Sequence, residues 1–156
     1  LQMHANNKGL KLSFVAPKRK LPLVSVDEAK TRQVVMNFID NAIYYTKSGS
    51  VTVYLDQHEG YARMRVVDTG IGVPKEAQKQ LFTKFFRAGN AQNVRPDGTG
   101  LGLFLAKKVI QDQGGKIIFD SEEGKGSVFG FEIPLDTRPK TTPQAAPSAK
   151  VEIGVN

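Results

Sequence analysis

The chain has 156 residues, 40% of them hydrophobic, with no cysteine and a formal net charge of +7. This length suits one domain plus trailing sequence, and the lack of cysteine excludes disulfides and thiolate metal sites and suits a reducing, cytoplasmic compartment. No apolar run approaches the ~20 residues that span a bilayer, and the scattered basic residues lack interleaved aromatics, so the charge is read as solubility and attraction for a small anion, not for nucleic acid.

Alternation from Leu10 to Val15 predicts a strand, followed by a turn at Pro17 to Lys20. A helix is expected from Val26 to about Thr46, with Asp27 as an early-turn acid and an apolar stripe of Ala29, Val35, Phe38, Ile39, Ala42 and Ile43. Ser48-Gly49-Ser50 ends it, and Val51–Leu55 and Ala62–Val67 alternate on either side of a loop holding Gly60, which predicts a hairpin. A glycine-rich turn follows Asp68, then a short helix from about Pro74. Residues 88–97 are polar and aperiodic and are read as a loop without apolar anchors. The next long helix carries Leu101, Leu105 and Val109 on one side and stops at Gly114-Gly115. Lys116–Phe119 and Ser127–Ile133 form a last strand pair. The sum is an α+β, two-layer sandwich: a mixed, mostly antiparallel sheet with helices on one face. Residues 1–136 are read as one domain and 137–156, rich in Pro, Ala and Thr, as a linker or the start of a further unit. His4 and His58 are expected to be solvated surface residues.

Four segments carry chemistry. Asn37 and Asn41 lie one helical turn apart on one stripe, where a neutral amide oxygen can complete a hydrated Mg²⁺ shell without repelling phosphate; a solvent-facing polar edge is the other reading. Tyr44 falls on that stripe too, and the spacing turns it toward the same ligand. Asp68 ends an inward-facing row of Ala62, Met64 and Val66, a costly place for a carboxylate unless a donor such as a purine amine meets it. Gly70 and Gly72 beyond it allow a flat ring to approach the backbone. Leu81-Phe82-Thr83-Lys84-Phe85-Phe86-Arg87 reads either as core or as a hinge with cations facing phosphates. Gly98-Thr99-Gly100-Leu101-Gly102 opens the second long helix, whose N-terminal amides suit a phosphate. The spacing is neither a dinucleotide fingerprint nor a Walker A loop.

In this order the four segments resemble the N, G1, F and G2 boxes of the catalytic domain of sensor histidine kinases. That family lies within the superfamily that includes gyrase, heat-shock chaperone and mismatch-repair ATPases. The resemblance covers about Lys8 to Leu135 and implies the Bergerat-type ATP-binding fold. It implies ATP and Mg²⁺ as cofactors, with Asn41 as the metal ligand and Asn37 beside the phosphates. It further implies Asp68 as acceptor of the adenine amine, Gly70 and Gly72 shaping the purine pocket, and Tyr45 against the nucleotide. Gly98, Thr99, Gly100, Leu101 and Gly102 would hold phosphates under a mobile lid of residues 88–97, and Lys84 and Arg87 match basic positions. The family usually reads Asn-Ala-x-Lys-Tyr-Thr where this chain has Asn41-Ala42-Ile43-Tyr44-Tyr45-Thr46, so the usual lysine is a tyrosine.

Hydrolysis benefits from a general base, and the hydrolysing relatives carry glutamate where this chain has Asn37, which favours phosphotransfer. The resemblance implies that the acceptor is a histidine on a separate dimerisation domain of the same protein, and that a response regulator receiver domain is the downstream partner. Neither His4 nor His58 lies in a phosphoacceptor context. The domain alone is expected to be monomeric and cytoplasmic, with a membrane anchor elsewhere in a longer protein compatible with the resemblance. The alternatives are a nucleotide-binding regulatory module and a serine kinase of the anti-sigma type.

Overall fold

The structure, a computed structural model, describes residues 1–136; the linker expected over 137–156 lies outside the described residues. Five strands form one sheet in the order β1-β2-β3-β5-β4. They are β1 (Lys11–Val15), β2 (Ser50–His58), β3 (Tyr61–Asp68), β4 (Lys116–Glu122) and β5 (Gly126–Pro134). Only β1 runs parallel to its neighbour; the other pairings are antiparallel. The β2–β3 hairpin closes through Glu59 and Gly60, both at positive φ (47° and 85°), the geometry a two-residue turn between right-twisted strands requires.

Two long helices, α2 (Glu28–Tyr45) and α5 (Gly102–Asp112), pack on each other and on one face of the sheet. Asp27 caps α2, its carboxylate accepting from the Lys30 N–H at 3.0 Å, a contact of the kind that contributes ~1 kcal/mol. Phe38, Ala42 and Ile43 of α2 are buried against Val51, Val66 and Phe129 of the sheet, with the Phe38 and Phe129 rings 5.9 Å apart. Phe82 joins this core, meeting Phe119 at 5.7 Å and Phe129 at 6.5 Å.

Three elements differ from expectation. A helix, α1 (Gln2–Asn7), precedes β1 and contains His4. On α5 the buried residues are Ala106 and Ile110, whereas Leu105 is 51% exposed; the small Ala106 lets α5 close on its neighbours, a contact that a search for large apolar residues passes over. Residues 88–97 also contain a helix, α4 (Gly89–Val94). Its sequence is a weak helix former and no side chain caps its start, so its support is tertiary. Ala88 is buried and Ala91 packs on the core, apolar anchors that are too small to produce a periodic signal. The remaining helix, α3 (Lys75–Gln78), starts just after Pro74 as expected. Among the described residues no helix is long and apolar enough to cross a membrane.

Candidate functional site

A cavity of about 250 Å³ opens between α2, the β3–α3 turn, α4 and the start of α5. Asn37, Asn41, Tyr45, Asp68, Gly72, Arg87, Gly98, Thr99, Gly100 and Gly102 all line it, so four segments spread over the sequence meet at one place.

Asp68 closes the sheet end. Its side chain is buried, and Oδ1 accepts from the Gly70 N–H at 2.8 Å. Burial pushes its carboxyl up to about 6, against the opposing pull of the Gly70 and Ser127 backbone N–H groups. A carboxylate held in this way is ready to accept from a neutral ligand donor. The turn beyond it needs glycine at 72, where φ is +63° and a Cβ would overlap the Glu122 carbonyl.

At the other end, the Asn41 Nδ2–H donates to Asn37 Oδ1 at 3.1 Å. The side-chain Oδ1 of Asn41 is left, among the described residues, without a hydrogen-bond donor. Gly102, the first residue of α5, abuts this pair so closely that a Cβ would overlap the Asn37 carboxamide. The first-turn N–H groups of α5 thus face the cavity beside two neutral amides, an arrangement suited to an anion and a hard cation together.

Arg87 lines the cavity and also braces the α4 segment. Its guanidinium donates to the Pro96 carbonyl at 3.0 Å and to the Arg95 carbonyl, closing the C-terminal end of α4. Lys84 does not line the cavity; its ammonium lies 5.1 Å from the ring of Phe85, which is 66% exposed and at positive φ (66°). Gly70 and Leu101, the latter at the N-cap position of α5 without a side-chain capping bond, do not line the cavity. Tyr44 is also outside it: its ring faces Arg95, whose guanidinium carbon is 4.7 Å from the centroid, and Lys8, at 5.5 Å.

Asn90 and Arg95 of the α4 segment and Ser127 and Phe129 of β5 line the cavity without having been singled out in the sequence. Asn90 Nδ2–H donates to the Gly72 carbonyl at 3.0 Å, tying α4 to the glycine turn. A polar residue inside an aperiodic segment gives no signal of this kind in advance. Ser127 was reachable from register, since it pairs with Asp68 across β3 and β5.

A family model described as "Histidine kinase-, DNA gyrase B-, and HSP90-like ATPase" matches residues 26–137, most of the chain. The chain belongs to this ATPase family. Among its relatives, the sensor protein SrrB of Staphylococcus aureus is 36% identical over 134 residues, 85% of this chain and 23% of SrrB. The chain therefore spans about a quarter of the length of the curated relatives it matches. The nucleotide-free catalytic domain of the histidine kinase ThkA superposes with a TM-score of 0.71 at 30% identity, covering 85% of each chain. Full-length ShkA, solved with AMPPNP, superposes with a TM-score of 0.72 at 32% identity, covering 85% of this chain and 27% of ShkA. The five-stranded α+β sandwich with helices on one face is thus the histidine kinase catalytic fold.

Proposed function

We propose that this histidine kinase-like ATPase domain binds Mg²⁺-ATP and presents the γ-phosphoryl group to a histidine on a separate dimerisation domain of the same protein, for relay to a response regulator receiver domain. One observation carries the reading. A buried carboxylate, Asp68, and the amide-bearing start of α5 open onto one cavity, so a ligand with an amine at one end and phosphates at the other satisfies both.

In this reading Asp68 accepts from the adenine amine, Gly72 admits the ring, and Tyr45 lies along the nucleotide. The α5 N–H groups from Gly102, with the Gly98–Gly100 approach, bind phosphate oxygens. Asn41, through its free amide oxygen, and Asn37 beside it would hold Mg²⁺, which supplies neutralisation of phosphate charge. The α4 segment, tied by Asn90 and Arg87, covers the site and limits water. Asn37 supplies no general base, so the bound triphosphate is kept for an incoming nucleophile. Because ATP is the donor, the domain works on the cytoplasmic side.

Two measurements test this. Isothermal titration should show Mg²⁺-ATP binding, and γ-labelled ATP should label an added dimeric helical domain carrying a phosphoacceptor histidine. ATP binding with no transfer to any such acceptor would overturn the kinase reading and leave a nucleotide-binding module.

A further inference from the structure

Tyr44 breaks the chemistry of its own helix face: Asn37 and Asn41 line the cavity, whereas the next residue on the stripe is a phenol outside it. Its ring is nevertheless occupied. The Arg95 guanidinium carbon lies 4.7 Å from the centroid, within the range of a cation–π contact. Arg95 is the residue that ends α4, and it lines the cavity shared by Asn37, Asn41 and Gly102.

The three cations near the site differ in what they have to do. Arg87 is committed to the Pro96 and Arg95 carbonyls. Lys84 lies over exposed Phe85, off the cavity. Arg95 pairs only loosely with the exposed Asp97, at 3.8 Å and beyond hydrogen-bond reach, and its buried Nε makes no hydrogen bond among the described residues. A guanidinium with an unsatisfied buried donor, beside a helix N-terminus that attracts anions, calls for an oxyanion with geometry for a fork.

We propose that the Tyr44 ring is a platform that aims Arg95 at the phosphate end of the cavity, making Arg95 a phosphate-binding cation that selects nucleoside di- and triphosphates over nucleosides. This rests on the nucleotide reading above. Tyr44 is then a positioning residue: the ring face holds the guanidinium plane, and the hydroxyl is not needed. Placing a lysine at 44 would put a third cation beside Lys8 and Arg95 and displace Arg95, so the substitution that restores charge to α2 loses it from the cavity.

The test is titration calorimetry with adenosine, ADP and ATP, at fixed Mg²⁺ and salt, on the wild type, Arg95→Gln, Tyr44→Leu and Tyr44→Phe. Arg95→Gln should weaken ADP and ATP about tenfold, as expected for a lost charge-assisted bond, with adenosine within about twofold of wild type. Tyr44→Leu should shift the ADP-to-adenosine ratio in the same direction by several fold, and Tyr44→Phe should keep the wild-type ratio. An unchanged ratio in either Arg95→Gln or Tyr44→Leu overturns the proposal while leaving the nucleotide site standing. If the wild type binds none of the three ligands, the nucleotide reading itself fails.

Discussion

Replacing Asp68 by asparagine keeps the side-chain shape and removes a buried charge, which should separate folding from binding. The folded carboxyl is pushed up to about 6 from an ordinary 3.8, chiefly by burial. At about 1.36 kcal/mol per unit, a gap of about two units means that the ionised group costs the fold about 3 kcal/mol. Because the folded value is raised, this stability is fully present below pH 3.8 and is lost as pH rises through about 6. The asparagine variant lacks this titration. Its stability relative to wild type should therefore rise by up to about 3 kcal/mol between pH 4 and pH 7.5, roughly 10 °C in midpoint for a domain of this size. Any weakening of the Ser127 bond is independent of pH and shifts the difference without bending it. Asp56, held low by hydrogen bonds from Arg63 and Arg65, titrates in the opposite sense but is common to both proteins. Urea unfolding of both ligand-free proteins across this range is the assay. In parallel, ATP affinity of the variant at pH 7.5 should fall by ~1.5–3 kcal/mol for the lost bond to a charged acceptor. A stability difference that stays flat from pH 4 to 7.5 would refute the buried-charge argument, and wild-type ATP affinity in Asp68→Asn would refute the adenine assignment.

Arg87→Gln should release the end of α4, so amide exchange over residues 89–97 should speed up by an order of magnitude or so while strand β3 is unchanged; equal rates in both proteins would remove Arg87 from the lid. Gly102→Ala removes a glycine from the first position of α5 yet drives a methyl into the Asn37 carboxamide. ATP binding should therefore weaken severalfold without loss of thermal stability, and undiminished affinity would show that Asn37 moves aside freely. Purified alone, the chain should release phosphate from ATP only marginally, since Asn37 is no base; brisk turnover in a phosphate-release assay would place it with the hydrolysing members of the family.

Long periodic elements were legible in the sequence because burial imposes their period: α2 shows it in Phe38, Ala42 and Ile43, and the β2–β3 hairpin in its alternation around Gly60. Asp68 was legible too, because a carboxylate in line with Met64 and Val66 has to be explained. What stayed hidden depends on contacts between distant segments. Helix α4 exists through Ala88, Ala91, the Asn90 bond to Gly72 and the Arg87 cap, none of which leaves a local pattern. Tyr44 shows the same limit from the other side. Helical spacing put it on the face of Asn41, but the cations its ring meets, Arg95 and Lys8, come from distant segments. Arg87, whose segment read either as core or as a hinge with cations facing phosphates, lines the cavity and also donates to two backbone carbonyls of the α4 segment, a bracing role set by the path of α4.

Lys8 joins two parts of the molecule that are far apart in sequence. Its ammonium donates to the carbonyls of Ile43 and Tyr44, at 2.7 and 2.8 Å, in the last turn of α2, and burial lowers its pKa. The stretch from α1 into β1 is thereby fastened to the helix end that carries Tyr44, next to the cavity wall. This is a short tether between the segment that follows α1 and the last turn of α2, made by a side chain outside the sheet ladder. One lysine side chain thus holds the N-terminal segment and the end of α2 together, on the turn whose Tyr44 ring meets Arg95.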